Sequence, residues 1–582
     1  MATDNLLQEF PPVSTQSWED AISRDLKGAD YARKLIWQTE EGLAVKPYYR
    51  AEDIAELDFL DATPGSFPFV RSARLAGDWR IREEIDAADP VQANQAARSA
   101  VAAGAEEIAF LNVVINNASD LGTLLVGLQK IPAHFQTADE PLLRLLIERF
   151  KERKDPESIS TGWNPLTNPE FAAEVLRTAP PALVPFTLDG SEFEEAGATA
   201  VEEIGFTLAA GVDFLAEMQS RDIDIDRAAT SVTFSFAIGS SYFFQIAKFR
   251  AFRMLWARAV DSFGGTADSA RAHIHARTSR WNETIYDPHV NVLRATTEAM
   301  SAVLGGADSV TVAPFDECYK MPDEASRRLA RNTQIILKHE ALLARVTDPG
   351  AGSYCLEVIT DFLAREGWKG MQKIEADGGY RKAVADGQLS KALEHSMAAR
   401  EKAVVSRRRV LTGTNQFANA TEHAIDRIDS ERPTVMRRGA QGYEELRLRT
   451  ERYAADTGTL PRVLLAEFGD VKMRSARSTF AANFFACAGF EIVTQRFSNA
   501  DEIAASAADM IVLCSADAEY LALATELQLK LAALGSKILL IVAGNPESAE
   551  QLRAAGVADF IHIRSNPIEV LTTWQQKLGI KA

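Results

Sequence analysis

Apolar residues recur along this chain in two rhythms. Runs that alternate or stay apolar over four to eight positions are the mark of strands. They occur at "EEIAFLNVV" (106–114), "PALVPFTLDG" (181–190), "SVTFSFAIG" (231–239), "HIHARTSRW" (273–281) and "ADSVTVAPF" (307–315). Spacing of three and four predicts helices over Pro90–Ala105, Glu194–Gln219, Ser241–Phe263 and Asp323–Leu342. This alternation, from about residue 65 to about 360, predicts parallel strands joined by crossover helices. An eight-fold (β/α)8 barrel is the best-known closed solution, although strand counting does not separate it from an open sheet.

The flanks differ. Residues 1–45 read as an arm, with a helix in "SWEDAISRDLKG" and an extended "KLIWQTEEGLAVKPYY". Residues 46–360 hold the barrel pattern. Residues 361–460 are helical and charged, as in "SRRRV" and "ERPTVMRRGAQGYEELRLRTERY". Arg407, Arg408 and Arg409 read as a solvated helical face, with an anion site as the alternative. From 461 to 582 the strand rhythm restarts in "VLLAEF", "FEIVTQ", "DMIVLCS", "KILLIVAG" and "DFIHI". Five parallel strands of this kind form the flavodoxin-like arrangement.

Composition narrows the class. The chain has 582 residues and a net charge of -18, with no basic region to hold a nucleic acid. Cys318, Cys355, Cys487 and Cys514 lack metal-ligand spacing, so reduced thiols in a cytoplasmic protein are expected. "MATDNLLQEFPP" resembles neither a signal nor a transit peptide, and no apolar run is long enough to span a membrane.

Few positions offer chemistry. The loop "GDVKMRSA" after the strand Val463–Phe468 lies where open α/β sheets bind ligands, yet it holds no His or Cys. The following helix is predicted over Arg477–Ala488, ended by Gly489. His273 and His275 share one side of a strand. They read as polar filling, with a metal or acid–base pair as the alternative. "GNPES" after Leu540 could hold an anion at a helix N-terminus, a weak signal alone.

Longer stretches carry a resemblance. "EEAGATAVEEIGFTLAAG", "IAKFRAFRMLWARAV", "NVLRATTEAMSAVLGGADSV", "FDECYKMPDEASRRLARNTQIIL" and "DPGAGSYCLE" resemble the cobalamin-dependent acyl-CoA mutases of the methylmalonyl-CoA mutase family. "LIWQTEEGLAVKPYY" in the arm and "LTGTNQFANATE" after the barrel are similar to family segments as well. The resemblance runs in order over nearly the whole chain. It implies a (β/α)8 barrel that threads the acyl-CoA along its axis. It also implies a C-terminal domain that presents adenosylcobalamin, and radical isomerisation between succinyl-CoA and methylmalonyl-CoA.

The same resemblance marks what is missing. Active members carry Asp-x-His-x-x-Gly in the first cobalamin-domain loop, the His as lower cobalt ligand. Aligned on Gly469, this chain has Val471, Met473 and Ala476 there. The family's Ser-x-Leu and Gly-Gly become "CSADA" and Ala543–Gly544. In the barrel, the thioester-binding His falls on Glu192 within "GSEFEEAGA", and the active-site Tyr on Glu84 within "WRIREEID". The family's Thr-Tyr-Ile-Tyr-Pro-Pro segment has no counterpart, and residues 151–167 read "KERKDPESISTGWNPLT" instead. A carboxylate accepts hydrogen bonds and donates none, so Glu192 does not replace the His while ionised.

The expectation is therefore the non-catalytic small subunit of a heterodimeric mutase, with no catalytic, cofactor-binding or metal residues of its own. Adenosylcobalamin and substrate would sit on a homologous large subunit. The alternatives are a divergent mutase that works alone, through Glu192 or Glu84, and a regulatory or chaperone-like partner.

Overall fold

A computed structural model describes residues 13–151, 159–429 and 437–581. "MATDNLLQEFPP" and parts of "KERKDPESISTGWNPLT" and "ERPTVMRR" lie outside the described residues.

Nine parallel strands form one nearly closed barrel. In spatial order they are Leu183–Val184, Ile159–Thr161, Ala133–Phe135, Glu107–Phe110, Arg80–Ile85, Ser309–Thr311, His273–Thr278, Val232–Ile238 and Phe186–Asp189. The two end strands are consecutive in the chain and flank Pro185. Across this seam the Thr187 N–H donates to the Trp163 carbonyl at 3.0 Å, and Thr161 Oγ1 donates to the Pro185 carbonyl at 2.6 Å.

Alternation places Phe234 and Phe236 on the outer face, where their rings meet Phe249, Phe252 and Trp256 of the helix Tyr242–Ser262 at 4.7–5.9 Å. Two more long helices, Ala200–Gln219 and Tyr354–Ala376, complete this buried layer. They approach closely because Gly205 faces Gly367. A Cβ on Gly367 would lie 2.5 Å from Ile204 Cγ2, too near for any side chain.

Three barrel strands were not predicted from the pattern. Arg80–Ile85 carries charges on its inward face, and Ala133–Phe135 and Ile159–Thr161 have three residues each. The expected helix Glu194–Gln219 is two helices, Ser191–Glu195 and Ala200–Gln219. Gly197 sits between them at φ +109, and Thr199 restarts the helix through a capping box with Glu202. The expected helix Asp323–Leu342 changes to a π turn at Ile336–Glu340.

After the barrel come Gln388–Val405 and Gln441–Thr457, then a second sheet. Its strands, all parallel, lie in the order Glu491–Arg496, Arg462–Glu467, Met510–Cys514, Leu539–Ala543, Asp559–Ile561. Met510–Cys514 is wholly buried, so its apolar run is continuous. The helix after the strand Arg462–Glu467 is Val471–Ala486, six residues earlier than predicted at its start. Asp470 causes this: its carboxylate caps the helix by accepting from the Met473 N–H at 2.8 Å.

The solvated-face reading of the arginine run is corrected for Arg407 and Arg409, while Arg408 is exposed. The helix ends at Val405, and Arg407 takes φ +59. Its guanidinium lies 5.0 Å from the Phe484 ring centre, and that of Arg409 lies 4.6 Å from Trp281. The flexible stems reach apolar rings that the linear sequence does not bring near.

Candidate functional site

Inward positions of the barrel are polar. In register, Arg277, Thr311, Arg82 and Glu107 form one layer around the axis. Arg82 donates to Glu107 through Nε at 3.0 Å and Nη2 at 2.5 Å. His134 bonds Ser160 at 2.9 Å and Gln136 at 3.0 Å, and His275 bonds Ser309 at 2.8 Å. Arg82, Glu107, His134, His275 and Arg277 are each at most 9% exposed.

Burial and the Arg82 charge push the His134 imidazole down to about 3 and that of His275 well below its usual value. Both rings are therefore neutral. His273, two residues from His275 on the same strand, is exposed at the barrel rim. Burial raises the Glu107 carboxyl most, but Arg82, His273 and Arg80 together outweigh it and the net shift is downward.

Glu84 stands at the mouth of this bore, bonded in a fork by Arg277 at 2.8 and 3.0 Å. Arg277 also donates to Glu317 at 2.8 Å. Burial works against the ionised form of Glu84, yet Arg277, Arg280 and Arg82 together hold its carboxyl down at about 2. It is an ion-paired carboxylate and offers no proton. Glu192 lines a separate cavity of about 70 Å³ with Asp189, Thr207 and Tyr380. Burial, then Asp189 and Glu195, raise its carboxyl. The geometry keeps Glu84 and Glu192 in different cavities, since only Glu84 lines the 180 Å³ cavity at the mouth.

In the second sheet, the strand order reverses between Arg462–Glu467 and Met510–Cys514, the usual place for a ligand. That place is filled by the chain itself. Gly469 has φ +68, and a Cβ there would fall 2.1 Å from Glu519 Oε2. The Glu519 carboxylate also accepts from Ser515 Oγ and, at 3.2 Å, from the Ala516 N–H. Arg474 donates to the Gly469 carbonyl at 2.9 Å. Arg477 bonds Asp517 at 2.9 Å and lies over Gly544, where a Cβ would be 3.1 Å from its Nη1. Val471, Met473 and Ala476 sit on the first turns of the helix: Val471 and Ala476 exposed, Met473 half-buried.

The profile of the family described as methylmalonyl-CoA mutase matches residues 38–123 and 171–463. A methylmalonyl-CoA mutase small subunit of Porphyromonas gingivalis is 36% identical over 99% of both chains. One from Streptomyces virginiae is 32% identical over 99% of this chain and 98% of its own. The chain belongs to the methylmalonyl-CoA mutase family. A methylmalonyl-CoA mutase large subunit of Streptomyces virginiae is 29% identical over 78% of this chain and 69% of its own. The mutase family catalyses an isomerisation and depends on cobalamin.

The switch point of this mutase chain does not fit that cofactor. A corrin with a lower ligand needs an open loop and a donor. Here the loop is wound into helix, the Glu519 carboxylate lies beside Gly469, and Met473, a soft donor, is a helical side chain. Among the described residues, no group of three or more His, Cys, Asp or Glu side chains could hold a metal ion. The bore network of Arg82, Glu107, His134 and Arg277 was missed by the sequence reading. Arg80, Arg82 and Glu84 at alternate positions of "RIREEI" were the available signal.

Proposed function

We propose that this chain is the small subunit of a heterodimeric methylmalonyl-CoA mutase, which isomerises succinyl-CoA and methylmalonyl-CoA. Adenosylcobalamin and the acyl-CoA substrate bind a homologous large subunit in this reading, and the present chain supplies structure. The observation that carries it is the Glu519 carboxylate in the space beside Gly469, where a cobalamin tail would need to pass. The buried Arg82–Glu107 pair, on neighbouring strands of the barrel, supports the same reading, because it sets paired charges in the bore along which an acyl-CoA would thread.

The reading includes a domain plan. Residues 46–360 are a (β/α)8 barrel in which Leu183–Val184 and Phe186–Asp189 are one strand interrupted by Pro185. Residues 361–460 link it to a degenerate flavodoxin-like domain at 461–582, supported by its 2-1-3-4-5 strand order. Residues 1–45 form an arm that contacts the large subunit in the cytoplasm through its helices, leaving the hairpin after them on this chain's own barrel. The arm helices Thr15–Asp25 and Tyr31–Leu35 bury no residue in this chain, which supports a role outside it. A homologous pair packed about a pseudo-twofold axis retains the fold of the inactive half, because that half stabilises its partner.

Co-expression with a cobalamin-binding large subunit tests this. The expected result is one cobalamin per pair, with turnover only when both chains are present. Cobalamin on each chain, or turnover by this chain alone, would overturn it.

A further inference from the structure

A cavity of about 650 Å³ opens beside the barrel mouth, lined by none of the bore or switch-point residues described above. Three parts of the chain wall it: the hairpin Trp37–Gln38 with Ala44–Val45, the loops after two barrel strands, and the end of the helix Gln388–Val405 with the turn that follows. Its size lies within the range of roughly 300–1,000 Å³ typical of small-molecule sites.

Its wall is cationic where the arginine run meets the barrel. Arg409 donates to Glu40 at 3.0 Å and to Ser240 Oγ at 3.2 Å. Arg400, 6% exposed, is bonded to Glu194, while its Nε–H has no acceptor. Arg408 is exposed and bonds only Ser406 Oγ, at 3.2 Å, with no carboxylate partner among the described residues. Of the two acids on the wall, Glu40 is neutralised by Arg409, and burial raises the Glu41 carboxyl. Arg408 forms no ion pair with either acid.

Two further features face the same space. The helix Tyr242–Ser262 starts at the cavity wall, and its N-cap Ser241 makes no side-chain capping bond. A helix of this length presents unpaired N–H groups and a partial positive charge at its start. Opposite the polar groups, Trp37 is half exposed, its ring held edge-on by Phe244 at 5.8 Å. A flat apolar surface beside an anion-binding wall matches a ligand with a ring at one end and phosphate at the other.

The geometry points to a binding site for a phosphorylated nucleotide in this cavity, its base on Trp37 and its phosphates toward Arg408, Arg409 and the Ser241 helix start. The inference does not rest on the proposed subunit role, and its failure would leave that role untouched.

Isothermal titration of the full chain with ADP tests the inference, using the co-purified mutase complex as a second sample. ADP is expected to bind with a stoichiometry of one per copy of this chain. Arg408→Glu is expected to weaken ADP at least about tenfold, the loss of one charge-assisted contact. Trp37→Ala is expected to weaken ADP while leaving inorganic pyrophosphate unchanged. Circular dichroism checks that both variants fold, since both side chains are on the surface. Absence of ADP binding to the full chain at millimolar concentration would overturn the inference. So would ADP binding indifferent to both substitutions, or pyrophosphate binding as tight as ADP.

Discussion

Glu84 and Arg277, 193 positions apart in sequence, meet in a two-bond fork at the mouth of the barrel. The pair keeps Glu84 ionised and stops it acting as an acid or as a hydroxyl-like donor. Glu84→Ala leaves Arg277 buried with Glu317 alone. Removing one partner of a buried pair costs about 3–5 kcal/mol, and the remaining Glu317 reduces this to about 2 kcal/mol. Urea unfolding at pH 7 measures it.

The same pair has an acid signature. The Glu84 carboxyl lies at about 2 in the fold and at its ordinary 4.5 in the unfolded chain. Its stabilisation is therefore present above pH 4.5 and lost as pH falls toward 2. Glu84→Gln should flatten the stability curve in that window only; an unchanged acid limb would show that the pair does not govern it.

Glu298 behaves oppositely. It accepts a hydrogen bond from Asn282 Nδ2 at 2.8 Å, and burial, with Glu194 nearby, pushes its carboxyl up to about 8. Between pH 4.5 and 8 the folded chain holds a proton that the unfolded chain has released. Stability from this group thus falls as pH rises, by at most about 1.4 kcal/mol per pH unit. Thermal melts of Glu298→Gln should lose less stability than the parent between pH 6 and 8.5.

Giving this loop the family's three side chains is not expected to create a cobalamin site. The variant Val471→Asp, Met473→His and Ala476→Gly still begins its helix at Asp470 and still has Glu519 beside Gly469. Absorbance titration with adenosylcobalamin should show no base-off, His-on spectrum. Its appearance would mean that the helix start unwinds readily.

Gly162 ends a barrel strand where a Cβ would lie 2.3 Å from the Gln136 carbonyl oxygen. Backbone cannot rotate away as a side chain can. Gly162→Ala should cost about 1–3 kcal/mol in denaturant unfolding, whereas Gly264→Ala meets nothing within 4 Å and should cost only its φ +86 strain.

Much of the architecture was legible in the pattern. The apolar runs at 231–239 and 307–315 are strands, and Ser241–Phe263 differs from the observed Tyr242–Ser262 by one residue at each end. Length and periodicity carry that information locally. The strand Arg80–Ile85 was not legible as a strand, because its inward charges break the apolar rhythm, and those charges only make sense once Glu107 and Arg277 face them.

The sequence alone determined the family and the residues that stand at Val471, Met473, Ala476, Glu84 and Glu192, since each is a matter of residue identity at a position. Tertiary structure decided what surrounds them. Glu519 fills the Gly469 loop from 50 positions away, and Arg82 and Glu107 fill the bore from neighbouring strands. Arg408 and Arg409 meet Trp37 across more than 370 residues of chain to wall one cavity. Electrostatics and steric exclusion act through space, and distance along the chain does not report them.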